Sequence, residues 1–270
     1  ADSTFWNDYN GKITIKIFDV KRQLSVFDLG FFFNFELDGG LIFAGNANVT
    51  NGLWTLEFVV PKDISYRNGN GKLVGYFNNS STDGTAYTDK FVMSGIDSNA
   101  AVDTTGPEIS LFMGDRNFRS GDVTNQNTTI IADFFDENGL NLTGTIGHKI
   151  EAIINNNENN KIDLTSHYNA TSGYQYGSLE YPLTNLSSGD YNLKIKAWDT
   201  YNNYSIQSID FKVVNNSALV LENVYNYPNP MTDNTSFLFN HNLDSPIDVK
   251  IKVYTVSGRL IKELNQNNIT

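Results

Sequence analysis

Apolar residues at every second position, in short runs broken by turn clusters, constrain this chain more than anything else in it. Ile13, Ile15 and Ile17 alternate with Lys12, Thr14 and Lys16. Trp54, Leu56, Phe58 and Val60 would share one face, and Pro61, which has no N–H for a ladder, closes that run. The same period recurs in Ile130/Ala132/Phe134, Ile150/Ala152/Ile154 and Leu193/Ile195/Ala197. Side chains of a strand point alternately to opposite faces, so each run predicts a strand with one buried side. Charged residues make up only 18% of the chain against 40% hydrophobic and 13% aromatic, a balance that favours strands and polar turns over helices. The expected fold class is all-β, a tandem of Ig-like β-sandwich domains.

Turn chemistry divides the 270 residues into three expected domains, 1–102, 103–214 and 218–270. In the first, Phe31, Phe32 and Phe33 run without alternation, which predicts a strand buried on both sides or crossing between sheets. Asp38-Gly39-Gly40 and Asn68 to Gly71 are turn clusters, with strands expected over 41–43, 73–77 and 91–93. The polar stretch 97–107 is the boundary. The second domain is expected to place strands at 108–113, 128–134, 148–155, 191–198 and 206–214, and 213–218 reads as a linker. In the third, Pro228 and Pro230 pin a turn, Thr235, Phe237 and Phe239 share one strand face, and Val249, Ile251 and Val253 share the next. A Ser257-Gly258 turn leads to a third strand at 259–264. Three strands are too few for a sandwich, so this last module is expected to be incomplete.

The formal net charge of −11 argues against nucleic acid or an anionic membrane surface as partner, since both recruit Lys and Arg. There is no cysteine, hence no disulfide, thiolate nucleophile or thiolate metal site. No apolar run reaches membrane-span length, and a start at Ala1 without a signal sequence fits a mature exported segment or an ordinary soluble fragment.

Nucleophilic catalysis finds no motif: His148, His167 and His241 stand far apart, and no serine elbow is present. No catalytic residue and no cofactor is expected. Zinc lacks paired ligands. Calcium, a hard cation wanting six to eight oxygens, has weak candidates in Asp133, Asp136, Glu137 and Asp199, beside Asn138, Asn202 and Asn203. Neither stretch has EF-hand spacing, and Asp and Asn make such turns through their own backbone, which is the favoured reading. Tyr174, Tyr176, Tyr181, Trp198 and Tyr204 have the rings to stack on sugars, though in a Tyr-rich sandwich packing is the commoner use. Sequons such as those at Asn127 and Asn169 arise by chance in so Asn- and Thr-rich a chain.

Two sets of residues carry a family resemblance. The tail pattern NYPNP at 226–230, then an apolar strand, then VYTVSGRLIK at 253–262, resembles the opening of the C-terminal sorting domain of type IX secretion cargo. Upstream, NGLWTLEFVVPKDISYRNGN (51–70), GPEISLFM (106–113), DENGLNLTGTIGHK (136–149) and LKIKAWDTYNNY (193–204) resemble, in order, the C-terminal half of the type IX secretion sortase, the gingipain-like cysteine peptidase family PorU. That resemblance implies a parent that removes C-terminal sorting signals from cargo and attaches the cargo to a surface anchor. The family's catalytic Cys and His lie in an upstream domain, and nothing here matches them.

For this segment the resemblance implies a non-catalytic scaffold at the cell surface. It would dock to a PorV-like outer-membrane β-barrel, beside its own upstream peptidase domain and the sorting domains of cargo. The partner-binding residues it suggests are Pro228, Asn229, Pro230, Phe237, Phe239, Val253 and Gly258. The alternative is a structural, adhesive or carbohydrate-binding β-sandwich module of another secreted surface protein.

Overall fold

The computed structural model describes residues 6–100, 102–144, 147–214, 219–241, 243 and 245–269. The fold is all-β, as the alternation requires: among the described residues it has twenty-one strands, numbered here in chain order, and one short 3-10 turn at Thr165–His167. Two compact units emerge, the first from the described residues of Ala1–Phe118, Thr129–Pro182 and Asn192–Ile209, the second from Arg119–Thr128, Leu183–Tyr191 and Asp210–Thr270.

The first unit is organised on β1 (Gly11–Phe18). It lies antiparallel between β4 (Leu41–Val49) and β6 (Lys72–Asn78), with Ile15 opposite Gly45 on one side and Gly75 on the other. Ile13, Ile15 and Ile17 are buried while Lys12, Thr14 and Lys16 face out, and each isoleucine contributes on the order of 1.5–3 kcal/mol of burial. β7 (Asp83–Thr88) extends this side of the sheet.

Beyond β4 the same sheet continues through β14 (Asn169–Ser172), β15 (Tyr176–Leu183), β11 (Thr128–Phe135) and β9 (Glu108–Met113). The join is one parallel bridge, Gly45 to Ala170. The sheet therefore crosses the boundary expected at 102/103, because an open edge of β4 accepts a strand from further along the chain. Also in this unit, β12 (Glu151–Ile154) lies between β13 (Ile162–Asp163) and β16 (Gly189–Trp198). Ala152, Leu193, Ile195 and Ala197 are buried as their alternation predicts, and so is Ile130 of β11.

Two expectations fail in the first unit. Phe31, Phe32 and Phe33 are not a buried crossing. They belong to β3 (Phe31–Leu37), which pairs only with β2 (Arg22–Asp28), and every residue of both strands is exposed. An apolar run in sequence specifies burial only if another element arrives to cover it, and among the described residues these side chains stay exposed. The strand expected at 54–60 also does not form. Asn51 and Gly52, at φ of 51° and 74°, make a hairpin turn, and Thr50 bridges Leu53 once. The chain then runs on without a ladder, Phe58 packing on Phe43 at 5.2 Å between ring centroids. Leu56 and Phe58 are half-buried, but Trp54 and Val60 are exposed, so the expected buried face forms only in part. A short ribbon of β5 (Gly69–Asn70) and β8 (Val92–Met93) occupies part of the expected turn at 68–71.

In the second unit, β10 (Val123–Asn125) pairs in parallel with the end of β17 (Tyr204–Val214), and Tyr191 stacks on Phe211 at 5.2 Å. The tail forms two ribbons: β18 (Leu221–Tyr227) with β19 (Ser236–His241), and β20 (Ile247–Tyr254) with β21 (Leu260–Ile269). That is four strands where the sequence suggested three. Ile247 is buried and Val249, Ile251 and Val253 half-buried on one face of β20, as their spacing predicts. Much of the linker expected at 213–218 lies outside the described residues.

Candidate functional site

Strands β11 and β16 end at Phe135 and Trp198, and the loops that follow carry the densest polar chemistry in the first unit. Asp136 Oδ1 accepts the Asn138 backbone N–H at 2.8 Å. Asp199 Oδ1 accepts from the Tyr201 and Asn203 backbone N–H groups at 2.9 and 2.7 Å, while its Oδ2 takes Asn203 Nδ2 at 2.8 Å. These are Asx turns, the local bonding expected of Asp at a strand end. Asp103 joins from the stretch read as a boundary: its Oδ2 accepts Asn138 Nδ2 at 2.6 Å. One oxygen from each of Asp103, Asp136 and Asp199 lies within 4.8 Å of the others.

Of the four calcium candidates, the fold thus brings Asp136 and Asp199 together and separates the rest. Asp133 is committed to Arg116, whose Nε and Nη2 both donate at 2.8 Å. Glu137 enters the site through its backbone carbonyl, which accepts Gln175 Nε2 at 3.2 Å. Asp103 escaped sequence reasoning because nothing in its local pattern separates it from linker residues. Three carboxylates at this spacing can share a proton or hold a hard cation.

Burial pushes the Asp136 carboxyl up to about 6, with the charges of Asp199 and Asp103 adding to the shift and the N–H donors of Asn138 and Gly139 opposing it. Asp199 is raised by burial too, against the bonds from Asn203. Because the Asp136 pKa is higher folded than unfolded, the native state keeps a proton that the unfolded chain has lost. This contribution is complete below about pH 4 and disappears as pH rises through 6. Asp136→Asn should therefore stabilise the protein at pH 7 in a chelator, by on the order of 1–3 kcal/mol, with the gain fading toward pH 4. Urea melts across that range measure it, and a gain independent of pH would contradict the burial account. The same melts in calcium show whether the carboxylates share a cation.

A second hub lies close by in the chain's loops. Asp63 Oδ2 accepts Asn141 Nδ2 at 2.9 Å and pairs with His148 Nδ1, and its Oδ1 accepts Asn202 Nδ2 at 2.8 Å. His148 stacks against Trp198 at 4.1 Å. Lys62 N–H donates to the Thr200 carbonyl at 2.9 Å, and Lys62 Nζ sits 4.5 Å over the Tyr201 ring. This His–Asp pair is spent on loop amides. His167 lies edge-on to Tyr181 at 5.0 Å and His241 Nδ1 accepts the Leu243 N–H, so the three histidines serve separate local structures.

The most exposed feature is the β2–β3 ribbon. Residues opposite one another share a face, so Leu24/Phe35, Val26/Phe33 and Asp28/Phe31 lie on one side with Leu37. The other side is polar near the base, where Lys21 and Gln23 meet Glu36 and Ser25 meets Asn34, and apolar at the tip, where Phe27 packs on Phe32 at 4.9 Å. Leu29, at the turn, is 85% exposed and Phe31 and Phe32 are each 70% exposed.

No family model matches the chain, and no curated protein matches it. Among solved structures there is a match. The chain is similar to PorU. That structure, dimeric latent PorU from Porphyromonas gingivalis, shares 30% sequence identity over 98% of this chain, with a TM-score of 0.43. The chain spans 25% of PorU's length.

The stretches resembling the PorU family converge in the fold. Residues 51–70 bring Asp63, 136–149 bring Asp136, Asn138, Asn141 and His148, and 193–204 bring Trp198, Asp199, Asn202 and Asn203. These stretches, with Asp103, build the two polar hubs, which hold loops together. In the tail, Pro228, Asn229 and Pro230 form the turn between β18 and β19, Phe237 is exposed, Phe239 and Val253 are half-buried, and Gly258 takes φ of 84° in the turn before β21. No helix among the described residues is long and apolar enough to cross a membrane.

Proposed function

We propose that this chain is a non-catalytic scaffold and docking region of a type IX secretion sortase. Its parent would be a cell-surface cysteine peptidase that removes C-terminal sorting signals from cargo and joins the cargo to a surface anchor. The region holds the upstream peptidase domain and binds a PorV-like outer-membrane β-barrel, with cargo sorting domains as passing partners. The chemistry of the parent lies elsewhere, since this chain has no cysteine.

The observation that carries a docking role is the β2–β3 ribbon, every residue of which is exposed, its apolar face and tip included. Surfaces of this kind mark protein–protein sites, and a two-stranded ribbon also offers free edges for pairing. The tail residues Pro228, Asn229, Pro230, Phe237, Phe239, Val253 and Gly258 are proposed as a secondary contact, on the sorting-domain resemblance.

The test is recovery of the purified barrel on immobilised protein, comparing the intact chain with one in which 23–36 is replaced by a short Gly/Ser turn and one ending at residue 218. Recovery should fall more than tenfold without the ribbon and by less without the tail. Equal recovery from all three would remove the docking role, and cleavage of a sorting-domain substrate by the isolated chain would overturn the non-catalytic reading.

A further inference from the structure

The hairpin that fails to close after β4 leaves a binding site for another strand. Its turn, Asn51-Gly52, has the two positive φ values of a tight hairpin, and Thr50 and Leu53 form the first bridge. The returning segment would normally pair along β4. Instead it diverges. Among the described residues, no hydrogen bond reaches the backbone of residues 54–61, and β4 makes one bridge, at Gly45, on the side away from β1.

The space between is a groove of about 1000 Å³. Asn46, Asn48 and Thr50 line it from β4 and its turn, and Leu53 to Glu57 from the returning segment. Lys12 and Thr14 of β1 also line it, with Thr14 Oγ1 donating to Asn46 Oδ1 at 2.8 Å.

We infer that this groove takes an extended polypeptide as an added strand, hydrogen-bonded through its main chain to the free backbone of residues 54–57. Backbone N–H and C=O groups with no hydrogen-bond partner among the described residues are the donors and acceptors that strand addition uses. The lining selects the side chains. Lys12 and Glu57 are the only formal charges on it, opposite in sign, and most of the remainder are amides and hydroxyls. An uncharged strand rich in Ser, Thr and Asn fits, with an apolar residue against Trp54, which is 37% exposed at the rim. Trp54 and Tyr174, which also lines the groove, have rings that would suit a sugar. The unpaired backbone favours a peptide, because a glycan would leave that row of amides without regular partners. This inference stands independently of the sortase reading, since it uses only the geometry of the first unit.

The test uses the whole chain and a pool of nine-residue peptides alternating Thr or Asn with Val or Tyr. The expected results are slowed amide exchange at residues 54–57 when the pool is added and at least tenfold weaker binding when alternate peptide nitrogens are methylated. Thr55→Pro, which deletes one groove N–H, should weaken binding as much, while Thr55→Ala changes it less than threefold and both variants keep the parent's melting temperature within a few degrees. If Thr55→Pro unfolds the chain, the methylated peptides still decide. Unchanged exchange at 54–57, or equal binding of methylated and plain peptides, would overturn the inference. So would protection of these amides by a chitin hexasaccharide in place of peptide, which would assign the groove to a glycan.

Discussion

Asp63→Ala should destabilise the first unit by about 3–5 kcal/mol, the range for removing one partner of a buried charged network. The Asp63 side chain is only 5% exposed. It accepts from Asn141 and Asn202 and pairs with His148, so its loss removes three contacts at once and leaves Asn141 Nδ2 only its bond to Asn202 Oδ1 at 3.1 Å. Asn141 is fully buried, and water has poor access to replace the lost acceptor. Asp63→Asn keeps the shape and one acceptor oxygen but turns an NH₂ toward donors, so an intermediate loss of about 1–3 kcal/mol is expected. Urea denaturation followed by tryptophan fluorescence reads both, Trp198 lying against His148 as a local reporter. A loss below about 1 kcal/mol for the alanine variant would show that the hub is hydrated and that Lys62 to Thr200 holds the loops by itself.

Changing the ribbon should do the opposite: a large effect on association and almost none on folding. With ~200 Å² per phenylalanine, Phe31, Phe33 and Phe35 on one face leave roughly 330 Å² uncovered by their exposed fractions, within the range of the largest patch on a typical monomer (~300–600 Å²) before leucine and valine are counted. Val26→Thr with Phe33→Thr and Phe35→Thr keeps strand propensity and removes the three central apolar side chains of that face. These side chains are exposed, so the melting temperature should stay within about 2 °C, whereas core substitutions of similar size cost about 2–5 kcal/mol. Association, whether with the barrel or between copies of the chain, should weaken at least a hundredfold in sedimentation velocity. A destabilised variant would mean that the face is covered within the chain. An unchanged association constant would mean that it is an inert surface.

The two failures of sequence reading share a cause. Phe31 to Phe33 and Trp54 to Val60 carry the strongest apolar signals in the first hundred residues, and both lie outside the regular sheet. Periodicity reports which side chains share a face. It is silent on whether a neighbouring strand arrives. Where partners were local, as for Ile13, Ile15 and Ile17 between β4 and β6, faces and burial follow the pattern closely. The carboxylate cluster was half visible: Asp136 and Asp199 stood out as Asp at strand ends, while Asp103 comes from a stretch with no pattern of its own.

The all-β class, the turns, the buried faces of β1, β11, β16 and β20 and the absence of thiol chemistry were written in the amino-acid order, because alternation, turn residues and composition act over a few neighbours. The convergence of Asp63, Asn141, His148 and Asn202, the meeting of three carboxylates, the uncovered ribbon and the open hairpin at Asn51-Gly52 were decided by tertiary structure. Each depends on which distant segment reaches a given edge or face, and that is settled by packing and backbone pairing across the whole unit.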